Sequence, residues 1–123
     1  MHPAMAEAAA AVAALAALLR ERGLEARPGR QGHAVGCDPA GGRVWAVWDH
    51  AQADMHGAAV DTGRLTVRLD PATGAFAGTL AMTVGAVQPG VARGPGEERE
   101  HAVRYVDAAA LAAELRRCLR LID

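Results

Sequence analysis

The stretch Arg64-Leu65-Thr66-Val67-Arg68-Leu69-Asp70-Pro71-Ala72-Thr73-Gly74 decides the fold class. Its first six residues alternate, so in an extended chain Leu65, Val67 and Leu69 share one face while Arg64, Thr66 and Arg68 share the other. That period belongs to a strand with one buried side and one wet side. The following residues supply a reversal, because Asp70 can bond the backbone, Pro71 fixes φ and Gly74 accepts a left-handed conformation. A turn this short returns the chain antiparallel, since a parallel connection needs a crossover. The returning strand is expected from about Ala75 to Val84.

The same punctuation occurs upstream. Asp38-Pro39-Ala40-Gly41-Gly42 separates a strand around His33 to Cys37 from another around Arg43 to Asp49. Aligning the two turns matches Val35 with Val67, Cys37 with Leu69, Val44 with Phe76 and Trp48 with Leu80, so the inward positions of both hairpins agree. This could be the remnant of a duplication, but Asp-Pro-x-x-Gly is a common hairpin turn and we read it as that. Further short strands are expected around Leu24 to Arg27 and from Arg99 to Val106, the latter with Val103 and Tyr105 on one face. Residues 87–98 between them are rich in Gly and Pro and read as a long mobile loop.

Outside the strands the period lengthens to that of a helix. Pro3 suits a first helical turn, Val12, Leu15 and Leu19 form a stripe with Leu18 beside it, and Gly23 supplies a stop, so a helix is expected from Pro3 to Arg22. At the other end Asp107 is a good N-cap for a helix whose stripe is Leu111, Leu115, Cys118, Leu119 and Ile122. The resulting expectation is a single α+β domain over residues 1–123, an antiparallel sheet of four to six strands with the N-terminal and C-terminal helices packed on one face.

Composition narrows the chemistry. The chain has 123 residues, enough for a hydrophobic core without disulfides or metal, but aromatic residues make up only 3% and the core must be built from short aliphatic side chains. Thirteen basic residues against fourteen acidic ones leave a net charge of -1 with no concentrated patch, which argues against nucleic acid and anionic membrane as partners. There is no Ser, Lys or Asn, a bias that suggests a genome of high GC content. It also excludes a serine nucleophile, a Schiff-base lysine and a P-loop lysine. The Ala-rich run from Met5 to Leu19 lacks a positive front end and carries Glu7, so it is expected to be a helix of the domain rather than a leader, and too short and weakly apolar to span a bilayer. Two cysteines, Cys37 and Cys118, make no disulfide framework and point to a reduced, cytoplasmic setting.

The densest polar cluster is Asp49-His50-Ala51-Gln52-Ala53-Asp54-Met55-His56. Asp49, His50, Asp54 and His56 could ligate a divalent metal or pair as base and orienting acid, yet the spacing of His50 and His56 matches no established site. We read the segment as a solvated loop, with no metal and no cofactor, and with Met55 folding back onto the body. His33 and His101 both fall in expected strands and could approach across the sheet, while Cys37 beside Asp38 should have a raised thiol pKa and Cys118 should be core.

Trp45 and Trp48 must point to opposite faces of their strand. Trp48 fits the helix-covered side with Val44 and Ala46. Trp45 and Val47 then lie on the other side, joined by Ala75, Ala77 and Ala81, a face too apolar to be fully wet. No stretch reaches the level of a family motif. The leading expectation is therefore a non-catalytic protein-interaction or accessory module, homodimeric through Trp45, Val47, Ala75 and Ala77, or binding another protein there. The alternative is a small-molecule binder or cofactor-independent enzyme with a pocket between sheet and helices near residues 49–56.

Overall fold

A computed structural model describes residues 1–28, 32–50, 52–54, 57–87 and 97–121; for residues 52–54, 57–61, 84–87 and 97 it describes the backbone alone. The elements run α1 (Pro3–Glu21), β1 (Ala34–Asp38), β2 (Arg43–Asp49), β3 (Gln52–Asp54), β4 (Gly57–Leu69), β5 (Phe76–Val87), β6 (Glu97–Tyr105) and α2 (Ala108–Leu119). One antiparallel sheet has the order β1-β2-β4-β5-β6, with β3 paired to β4 beyond the end of β2. It is an α+β fold in which neighbours in sequence are neighbours in space.

Both expected hairpins form. At the second turn the Asp70 side chain accepts from the Ala72 amide at 3.0 Å, the Gly74 amide donates to the Asp70 carbonyl at 2.8 Å, and Gly74 sits at φ 76°. Gly42 closes the first turn at φ 68°, and its carbonyl accepts from the Leu69 amide at 2.8 Å, tying one hairpin to the other.

Alternation decides which residues face the helices. The register places Val44 opposite Val67 and Ala46 opposite Leu65, with Leu65 opposite Leu80 and Leu69 opposite Phe76. These side chains, with the half-buried Leu69 at the margin, join Met5, Val12, Leu15 and Leu19 of α1 and Leu111, Leu115 and Leu119 of α2 in one buried cluster. Both helices thus cover the same sheet face, and they also pack on each other. Val103 and Tyr105 of β6 pack against the cluster's rim. The helix ends are closed locally. His2 caps α1 through Nδ1, which accepts from the Ala4 amide at 3.0 Å, and Asp107 caps α2 by accepting from the Ala110 amide at 2.8 Å.

Several expectations need correction. The segment after Asp49 is not all loop: Gln52–Asp54 pairs with Gly57–Ala59, so β4 begins seven residues before Arg64. Around Leu24 to Arg27 no full strand forms; Glu25 makes an isolated parallel bridge with His33. The Gly- and Pro-rich stretch loses both its ends to strands, Val87 to β5 and Glu97 and Glu98 to β6, while residues 88–96 lie outside the described residues, as does Ile122. Finally, α1 is long and apolar enough by length and composition to cross a membrane, with a mean hydropathy of 1.4, contrary to the reading of Met5 to Leu19 as too short and too weakly apolar. Core helices and signal sequences reach the same values. In this fold the apolar stripe of α1 is spent on the sheet and α2.

Candidate functional site

Three places could carry function, and they lie in different parts of the sheet. The first is the end of β2, where the sequence clusters Asp49 and His50. Here the structure brings His33 to His50, with ring centroids 4.4 Å apart. His33 is 5% exposed, and its Nδ1 accepts from the Asp49 amide at 3.0 Å, so the proton of the neutral ring sits on Nε2. His50 Nε2 lies 2.8 Å from the Cys118 carbonyl, an acceptor, and therefore donates to it. That contact satisfies one of the open carbonyls at the end of α2. The neighbouring Arg116 and Arg117 carbonyls are closed by the Leu121 amide at 2.9 Å and the Arg120 amide at 3.2 Å, with Arg120 in the left-handed conformation at φ 53°.

Burial holds the His33 pKa below its ordinary 6.5, the neighbouring His50 and Arg120 push it the same way, and Asp49 partly offsets them. The buried His33 imidazole is tied to the β2 backbone, and His50, packed on it, ties β2 to the last helix. The expected approach of His33 and His101 is corrected: β1 and β6 are the two edges of the sheet, and His101 is exposed opposite Leu80. Among the described residues no three His, Cys, Asp or Glu side chains gather as a metal would require. Met55, His56 and the side chain of Asp54 lie outside the described residues.

The second place is the outer face of the sheet. Trp45 is 41% exposed and Val47 40%, side by side on β2, with no helix of the described residues above them. The Trp45 ring lies over Gly36 of the edge strand β1, where an added Cβ would come within 2.3 Å of its Cζ2. Ala77 is exposed on the same face, but Ala75 is a correction: it closes the turn before β5, its carbonyl accepts from the Asp70 amide at 2.8 Å, and it is buried. Ala81 is buried too, between Arg64 and Glu100 in the register, with Arg64 reaching Glu98 at 3.5 Å. The face is consequently less apolar than alternation alone implied. Charged side chains of β2, β4 and β6 surround the Trp45 and Val47 pair.

The third place is a cleft of about 710 Å³ at the turn end of the sheet, opposite the histidines, with Met1, Met5, Leu69 and Pro39 as apolar walls and Asp38 as its carboxylate. Sequence reading missed it because it joins the start of α1 to two hairpin turns far apart in the chain. Across it His2 Nε2 donates to the Pro71 carbonyl at 3.2 Å.

The cysteines are free, Cys118 buried and Cys37 half-buried. Burial pushes the Cys37 thiol pKa up, and Asp38 adds to it. A second unforeseen cluster packs Tyr105 of β6 near Glu114 of α2. The Tyr105 hydroxyl is buried and closes no hydrogen bond by distance and angle among the described residues; burial and the Glu114 charge push its pKa up. Glu114 instead takes a two-pronged bond from Arg117, at 2.6 and 3.0 Å, which holds its own pKa low. Neither group opens onto a described cleft in which it could act. No protein-family model, curated protein or solved structure matches the chain.

Proposed function

We propose that this chain is a non-catalytic interaction module that self-associates through the outer face of its sheet. The observation that carries the reading is the pair Trp45 and Val47, both about two-fifths exposed on a rigid strand whose other face is sealed in the core. A flat strand pays little entropy to present a tryptophan, and large aromatics at interface centres carry a disproportionate share of binding energy. The histidines argue in the same direction, because His33 is bonded to the Asp49 amide within the sheet and His50 to the Cys118 carbonyl of α2. Two free cysteines in the described structure fit a reduced, cytoplasmic setting.

Sedimentation of the parent chain against Trp45→Glu tests this. The parent should run as a dimer and the variant as a folded monomer, with unchanged circular dichroism. A variant that associates as tightly as the parent would remove the outer face from the interface. The second reading, a small-molecule binder, is favoured only by the cleft beside Asp38 and Met5. Native mass spectrometry separates the two, since it reports subunit number and bound mass together.

A further inference from the structure

The register sorts the outer face into rows that run across the strands. Asp38 stands opposite Arg43 and pairs with it at 3.5 Å, Arg43 opposite Arg68, Arg68 opposite Ala77, and Ala77 opposite Arg104, so one end of the face is net basic, three arginines against one carboxylate. Six residues along, Asp49 stands opposite Thr62, Thr62 opposite Thr83 and Thr83 opposite Glu98, so the other end is acidic at both margins. The two rows between hold Trp45 and Val47 on β2, with Arg64 and Glu100 further across the Val47 row. The face is therefore polarised along the strand direction, with its apolar pair at the middle.

We infer that the occupant of this face is a second copy of the chain, related by a two-fold axis that lies between the sheets and runs along the rows, so that each strand lies antiparallel over its own copy. The inference rests on the proposed outer-face association and specifies its geometry. A two-fold that brings two faces together must lie in the plane between them. Were it parallel to the strands, like ends would meet, the net basic rows on each other and Asp49 of one copy near Glu98 of the other. An axis along the rows exchanges the ends instead. Arg43 then meets Asp49, Arg104 meets Glu98, and Trp45 packs on Val47, each contact occurring twice. The twist of the sheets turns the two strand sets by about 30° from exact alignment without undoing these pairings.

Charges at such a rim add little affinity but select orientation, because like charges brought together are costly. Rise and strand spacing give the face a projected size of about 20 by 20 Å. That is about 800 Å² over both copies, below the size of standard specific interfaces, so a weak, concentration-dependent dimer is expected.

The test is a charge-exchange experiment on the full chain by sedimentation equilibrium. Arg104 and Glu98 are both exposed, and Glu98 remains 56% exposed beside Arg64. Arg104→Glu alone should weaken self-association about tenfold or more, and Glu98→Arg alone should do the same. Mixed in equal amounts, the two variants should form heterodimers at parental strength, because both contacts are then attractive, one parental and one with its charges exchanged. Arg104→Glu that tightens the homodimer would overturn the geometry in favour of an axis along the strands. A mixture no tighter than either variant alone would overturn it as well. Failure of the underlying reading looks different: the parent would be monomeric at about 100 μM, or Trp45→Glu would leave the dimer intact.

Discussion

Strand β2 carries the same construction on both of its faces. On the inner side the Trp48 ring lies over Gly63 of β4, where an added Cβ would approach its Cζ2 to 2.4 Å; on the outer side the Trp45 ring lies over Gly36 of β1. Each tryptophan thus fills the gap left by a glycine on the neighbouring strand, a known way of restoring packing to a sheet. Trp48 is nevertheless 5% exposed and Trp45 41%. What differs is the layer above: α1 and α2 roof the first and nothing within the described residues roofs the second. A tryptophan's contact with its own sheet therefore does not decide whether it is core or surface.

The comparison can be broken most decisively at Trp48. Trp48→Glu places a carboxylate inside the cluster shared by sheet and helices, a cost large enough to unfold the domain, whereas Trp45→Glu should leave it folded. Circular dichroism of the two variants decides it, and loss of structure in both would mean that the outer face is covered after all.

The glycines sharpen the same point more finely. In Gly63→Ala the new methyl meets a ring that the helices hold in place, and strain of about 1 to 3 kcal/mol is expected. In Gly36→Ala the obstructing ring is half in water and can swing aside, so the change should stay within about 0.5 kcal/mol of the parent. Urea midpoints compare them, and equal losses would show that Trp45 is held as firmly as Trp48.

A smaller effect is expected at the end of β2, where His33 and His50 close the core beside Asp49. The folded state holds His33 below its ordinary 6.5, so the unfolded chain takes up the proton first. This contribution to stability is complete above the unfolded value and is lost as the pH falls from there toward the lowered folded value. His33→Gln, whose amide oxygen can still accept from the Asp49 backbone, should flatten the loss of stability as the pH falls through and below the ordinary 6.5. An undiminished slope in the variant would assign the titration elsewhere.

The hairpins, the inward set of each strand and the α2 stripe with its Asp107 cap were legible in the sequence because each is written in residues a few positions apart. Period two assigns Trp45 and Trp48 to opposite faces, and Asp-Pro with a following Gly determines the reversal, without reference to the rest of the chain. The candidate site was legible only in part. Trp45 and Val47 could be placed on the outer face, but alternation does not measure cover, so Ala75 and Ala81 were expected at the surface and proved buried. Likewise Asp49 and His50 stood out as polar neighbours, while their partners did not.

Only the tertiary structure decided those partners. His33 meets His50 rather than His101 because the strand order puts β1 and β6 at opposite edges, and His50 finds the Cys118 carbonyl 68 residues away because α2 ends over β2. The rows of the outer face are likewise a product of register across four strand pairs. Local chemistry determines which way a side chain points; which side chain it meets depends on contacts between distant segments, and these are settled only when the hydrophobic faces of sheet and helices close on one another.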